Sequence, residues 1–382
     1  MKRHLKFAGL LLAGLGLPAL PSQAQPAPSP LTSTRPAVET ARKLRLEGEA
    51  GAWRKASAKA MLDHARRVAS SGAPRDLLAA ATVFRSLSLS LMDASNATAT
   101  PQQETRVWFD AAMSARPRDR LVAWYQLDGA VFYTDAPVDT DPALAFLLED
   151  DTGNAAVHLQ ALRLAETTGD TALAQRHWEQ AAASSHYDAY TRAMGAALLG
   201  ALHGAKLPPL SQELSVHMSE GLGLDGPMDE ADALAVTAMV LWSAIALPSL
   251  QQPVARCTPQ AVAAGGEQRR GECLRVMSLL ADDESSLIMP MLGLKKAVEL
   301  SHPGIDRQRR VERLREVHWL REAALKGMTG GPLAFKLPPG YLVQVMVEGE
   351  LPAMRRLLEH NGIALEPPSG WVPEDPAIRA LL

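Results

Sequence analysis

Two cysteines, few aromatic side chains and almost no net charge narrow what this chain can do before any motif is read. Phe, Trp and Tyr make up 5% of its 382 residues, and 39 Lys plus Arg face 42 Asp plus Glu, a formal net charge of −3. A balance so near neutrality leaves no electrostatic footprint for nucleic acid or for an anionic membrane, so neither is expected as a partner. Alternating runs of Val, Ile and Thr are rare, which removes the usual signature of strands. Hydrolase signatures are missing too: there is no Gly-x-Ser-x-Gly elbow and no Ser-x-x-Lys with its companion motifs. No His-Glu-x-x-His occurs, the 10 histidines are mostly scattered singly, and the glycines at 327–331 lack the lysine and hydroxyl of a phosphate loop. No metal, cofactor or catalytic residue is therefore expected.

What the sequence does contain begins with three zones at its start. Lys2, Arg3 and Lys6 carry positive charge, 7–20 is apolar, and Ser22-Gln-Ala24 is a small-x-small cleavage site. This pattern predicts a signal peptide over 1–24, cleavage after Ala24, and a loose proline-rich segment over 25–34. The apolar run is short and broken by Gly and Pro, which disfavours an uncleaved anchor. No Cys follows it, which argues against a lipid-anchored form. The expected address is periplasmic or secreted, in a Gram-negative-like cell, with no membrane insertion after cleavage.

Ala and Leu dominate the remainder, recurring at three- and four-residue steps between Gly, Pro and Asp/Asn punctuation, so the fold class is all-α. Helices are predicted over 35–47, 52–70, 75–94, 102–115, 118–129, 142–149, 154–168, 171–184, 189–202, 212–220, 230–246, 272–281, 284–300, 306–326, 341–348 and 352–360. They divide into a helical-repeat region, 35–205, and a C-terminal helical region, 206–382. The second holds Cys257 and Cys273, which bracket a Gly/Gln/Arg-rich loop over 264–271. Export would let a disulfide between them persist, and closing that loop is worth about 3 kcal/mol on the chain-entropy model. A redox pair or metal site would want Cys-x-x-Cys or Cys/His spacing, which is absent.

The segment 152–185 is the most informative. Ala155, Leu159, Leu162 and Ala165 form one apolar stripe of a helix, and Val157, Ala161 and Leu164 form another on nearly the opposite side. Two stripes imply burial on both sides, as inside a stack. Gly169-Asp170 marks a stop and a new cap, after which Ala174, Trp178 and Ala181 line a second helix. This hairpin resembles a tetratricopeptide repeat, with His158 standing where that family carries Trp. Phe109, Ala112 and Pro117 repeat the second-helix ending, and Leu144 and Leu147 hold the same phase at steps near the family period of about 34 residues. The resemblance implies stacked antiparallel helical hairpins, an α-solenoid. The chain as a whole also resembles a group of exported helical proteins that share such a hairpin, a Tyr-Asp segment (Tyr187-Asp188) and a Pro-Pro-x-x-Trp tail (Pro367 to Trp371). That resemblance brings no activity with it.

Several features could carry chemistry. Glu284-Ser285, ahead of Met289-Pro290-Met291, echoes the general-acid glutamate of lytic transglycosylases, but the Gly-Leu-Met-Gln signature does not follow, so Glu284 reads as the start of a helix. Segment 306–326 interleaves six arginines with Glu312, Glu316 and Glu322; it could grip an acidic partner or be a solvated face with pairs such as Arg313 to Glu316. His177 and His186 do not share a helical face. Segment 233–250 carries no charge, yet Pro248 and its Ala content make it a buried helix rather than a membrane span. Segment 351–363 looks like an ankyrin second helix without the turn that should precede it. The expected function is a non-catalytic scaffold whose surface binds a protein or peptide partner in the cell envelope. The alternatives are an envelope enzyme acting on peptidoglycan and a dedicated inhibitor or immunity-type protein.

Overall fold

A computed structural model describes residues 35–91, 100–127, 139–245, 248–329 and 335–382. The expected signal peptide, 1–24, and the segment 25–34 lie outside the described residues. Within them the protein is all-α: 17 helices and no strand, with two isolated single-residue bridges. No helix among the described residues is long and apolar enough to cross a membrane.

The chain opens with a long helix, α1 (Arg35–Ala69), which packs on α2 (Pro74–Leu91); α3 (Thr100–Ser114) returns along α2. Next come α4 (Arg120–Leu127) and α5 (Asp141–Asp150), a packed pair whose second member carries Pro142 in its first turn, where a missing N–H costs nothing. The hairpin α6 (Ala155–Thr168) and α7 (Thr171–Ala183) follows. Gly169 ends α6 in the left-handed conformation at φ 77°, and the Asp170 carboxylate caps α7 by accepting from Leu173 N–H at 2.8 Å. Both apolar stripes of α6 are covered, one helix neighbour being α7 and the others α5 and α11 (Gln251–Arg256).

Helix α8 (Thr191–Leu202) is the hub. It contacts α1, α2, α10 (Glu230–Ser243) and α15 (Tyr341–Glu348), so elements distant in sequence meet on one short, small-residue helix. Gly195 makes this possible, because a Cβ there would lie 2.4 Å from the Met346 carbonyl oxygen. Between α8 and α10 runs α9 (Gln212–Leu222), which packs on α1. The later helices continue the packing: α12 (Pro259–Asp282) joins α7 to α13 (Ile288–Leu300), α13 packs on α14 (Ile305–Thr329), and α14 on α16 (Glu350–His360), which pairs with α15. A last turn, α17 (Pro376–Arg379), buries Ile378. One hydrophobic cluster runs from Met61 to Ile378 and includes Phe84, Trp178, Leu198, Met277 and Leu314.

Four local expectations are corrected. Gly48 and Gly51 do not split the first helix; burial of Leu46 and Ala50 carries α1 through them. The stretch 264–271 between the cysteines is helix rather than loop: α12 spans it, kinked at Gly266 (φ 63°, ψ −156°). The uncharged stretch 233–250 stays helical only to Ser243. Glu284 does not begin a helix; it lies in the turn between α12 and α13.

Candidate functional site

Two polar regions stand out. The first is a junction of interhelical turns. Asn154, fully buried, caps α6 and gathers its surroundings: its side-chain oxygen accepts from Ala156 N–H (3.0 Å) and Asp188 N–H (2.9 Å), and its amide donates to Asp151 Oδ2 (2.9 Å) and the Asp188 carbonyl (2.8 Å). Tyr190, held at φ 56° at the start of α8, donates its hydroxyl to the same Asp151 carboxylate at 2.5 Å. A left-handed tyrosine is uncommon, and here the surrounding bonds fix it.

The same junction sets a serine, a histidine and an aspartate in sequence. Ser185 Oγ lies 3.2 Å from His186 Nδ1, and His186 Nε2 lies 3.5 Å from Asp151 Oδ1. An acyl-transfer site also needs N–H groups aimed at the developing oxyanion. The N–H groups of Ser185 and His186 both donate to the Gly153 carbonyl instead, at 3.0 and 3.2 Å. The arrangement therefore holds the α7–α8 turn against the α5–α6 turn. His177, the other histidine singled out, is elsewhere, on α7 against His158.

Behind this turn lie two carboxyls drawn out of water, Asp283 buried and Glu350 half-buried. Burial pushes Asp283 up from the ordinary carboxylate range, while the N–H and hydroxyl of Ser285, each 2.9 Å away, partly oppose the shift. Burial likewise raises Glu350, which accepts from Leu287 N–H at 2.6 Å. The Tyr187 hydroxyl is raised by burial and by the nearby charges of Asp283 and Asp188. Gly349 lets the α15–α16 turn sit on the α12–α13 turn; a Cβ there would meet the Glu284 carbonyl oxygen at 2.3 Å. Glu284 itself is engaged by Arg355 at 2.9 Å, the partner of an ion pair rather than an acid facing a sugar groove.

The arginine-rich helix α14 is used internally. Arg307 donates to the Leu381 carbonyl, Arg315 to those of Trp371 and Pro368, and Arg313 to Asp282 and the Ala281 carbonyl. The expected Arg313 to Glu316 pair is replaced, Glu316 facing Arg355 at 3.5 Å. Trp371 of the Pro-Pro-x-x-Trp tail sits edge-on to Trp319 at 5.4 Å between centroids. Arg307 and Arg315 strap the chain's last segment onto α14, and Arg313 ties α14 to the end of α12.

The second region is a groove of about 570 Å³ between the end of α6, helix α11 and the first half of α12, lined in part by Glu166, Gln251, Gln252, Arg256, Ala264 and Arg269. Cys257 and Cys273 are bonded to each other as expected, with Cα atoms 5.6 Å apart, and the bond ties the end of α11 to α12. That fixes Arg256, the residue before Cys257. Arg256 pairs with Glu166 at 2.9 Å and donates to Gln175 at 3.2 Å; Arg269 shares the same Gln175 oxygen at 3.2 Å. Both guanidinium groups lie 5.7 Å from the Trp178 ring, within cation–π range. Trp178 is fully buried and donates its indole N–H to Glu272 at 2.8 Å.

Sequence reading found Trp178 as a packing position and the cysteines as a staple, but not that they meet. The available signal was an arginine beside the first cysteine and another four residues before the second. Among the described residues, no group of three or more His, Cys, Asp or Glu could hold a metal ion. No protein-family model, no curated protein and no solved structure matches the chain.

Proposed function

We propose that the protein is a non-catalytic helical scaffold of the cell envelope that docks a protein or peptide partner in the groove beside its disulfide. The groove is the observation that carries this reading. Its walls offer amide, guanidinium and carboxylate groups, the set that can hydrogen-bond a partner's backbone and pair with its charges. Burial of α6 on both sides supports a stack of tetratricopeptide-like hairpins, an architecture that presents ordered concave surfaces with little rearrangement on binding. The export-type N-terminus and the disulfide both suit an oxidising compartment such as the periplasm.

The test is photo-crosslinking in intact cells, with the reactive side chain placed at Gln251 in the groove or at exposed Val107 on α3. A discrete envelope protein captured from position 251 and not from 107 is the expected result. No adduct above background at 251, or identical adducts from both positions, would remove the groove as a docking place.

A further inference from the structure

The chain's last segment, 364–382, lies along α14 with few buried anchors: of its side chains only Pro373 and Ile378 are buried. The rest of its hold is polar and falls mostly on its backbone. Besides the arginine bonds already described, the Trp319 indole donates to the Ala364 carbonyl and the Glu374 N–H donates to the Glu322 carboxylate, each at 2.9 Å. Just before the segment, Gly362 ends α16 at φ 70° with open space around it. Beneath the segment, His318 and Glu322 stand one turn apart on α14, 2% and 5% exposed. Neither ring nitrogen of His318 has a hydrogen-bond partner in the protein, nor has the second carboxylate oxygen of Glu322. Three unpartnered polar atoms under one thinly anchored segment favour a state in which that segment lifts and water reaches them.

We propose that 364–382 is a releasable strap, hinged at Gly362 and freed from α14 when His318 takes up a proton. A neutral imidazole tolerates the closed site. An imidazolium there is a buried charge with no hydrogen bond, and only opening hydrates it. The charged groups acting on the ring are Arg321 on its own helix and Lys295 on α13, which oppose its protonation, and Asp375 in the strap, which favours it. Helix α16, also packed on α14, meets it through Arg355, which faces Glu316 instead. Burial outweighs all three charges and pushes His318 down to about 4 from its ordinary 6.5. The closed state is therefore fully favoured above pH 6.5 and loses ground as pH falls toward 4. Release uncovers Trp319 and Arg315, whose donors the strap's carbonyls now occupy. The strap does not touch the groove, and the inference stands or falls independently of docking there.

The experiment is amide hydrogen exchange read by mass spectrometry on the intact, disulfide-bonded protein at pH 7 and pH 5, corrected for the pH dependence of chemical exchange. In the wild type, protection of the amides within 371–381 should fall at least about tenfold between the two pH values, while those of α15 and α16 keep theirs. His318→Leu, which cannot take up the proton, should show no such fall. A smaller fall in the strap, a parallel loss in α15 and α16, or the same fall in His318→Leu overturns the proposal. If His318→Leu does not fold, as judged by circular dichroism, the comparison of strap with α16 in the wild type decides.

Discussion

At the turn junction, Asn154 has no exposed surface and all four of its side-chain hydrogen-bonding positions are filled. Beside the disulfide, the Arg256 and Arg269 side chains keep 20% and 22% of their surface in water while spending their charge on Glu166, Glu272 and the Trp178 ring. Both regions are polar, yet one is closed and the other open. A closed, satisfied network fixes turn geometry and has nothing left for a ligand. An open one, anchored on an immobile tryptophan, can exchange water for a partner at little reorganisation. The junction therefore reads as the frame, and the groove as the surface on which the proposed docking would take place.

The largest effect expected from this contrast is at the frame. Asn154→Ala orphans the Ala156 and Asp188 N–H groups and strips a cap, so urea unfolding should show a loss of about 4 kcal/mol. A loss under about 1 kcal/mol would mean that the junction is not the closed network described. Next, replacing Cys257 and Cys273 together by Ala should cost about 3 kcal/mol through the unfolded chain. Proteolysis should then cut first within 251–271, the segment the bond restrains, and uniform cutting would contradict its bracing role.

Titration sharpens the comparison. His318, buried on α14 with neither ring nitrogen partnered, is pushed down to about 4, by burial first and then by Arg321 and Lys295 against Asp375. A histidine kept neutral in the fold confers stability that is complete above its unfolded value of 6.5 and fades as pH falls toward 4. Asp283 and Glu350 work the other way, since carboxyls raised in the fold favour the native state as pH falls. Comparing stability at pH 7 and pH 4.5, His318→Leu should recover about 2 kcal/mol of the acid-side loss relative to wild type. The same pH slope in both proteins would refute that assignment. The smallest stability effect belongs to the groove: Arg269→Lys keeps a cation beside Glu272, loses the hydrogen bond to Gln175 and the planar group over Trp178, and should cost about 1 kcal/mol. A loss as large as that of Asn154→Ala would make the groove part of the frame.

Much of this was legible from residues alone. Gly169-Asp170 announces its turn because only a left-handed stop followed by a capping carboxylate fits there, and paired stripes announce the buried α6. Cysteine count and spacing gave the disulfide. The stretch 264–271 misled because Gly265-Gly266 looks like a breaker, yet the cost of two glycines is small beside the packing of α12 on α7 and α13. Glu284 misled for a related reason: caps are judged locally, while Arg355, far along the chain, decides where that carboxylate goes. The groove was not readable at all, because it arises where Glu166, Arg256 and Arg269 meet from three helices, and no window of sequence contains that meeting.

The most direct measurement uses the captured partner, purified, and its affinity for the wild type and for Ala264→Trp. Ala264 is exposed on the groove wall, so the indole fills the space without touching the core. The account predicts at least a tenfold weaker Kd with an unchanged unfolding midpoint. Equal affinity for the two proteins would show that the partner docks somewhere else.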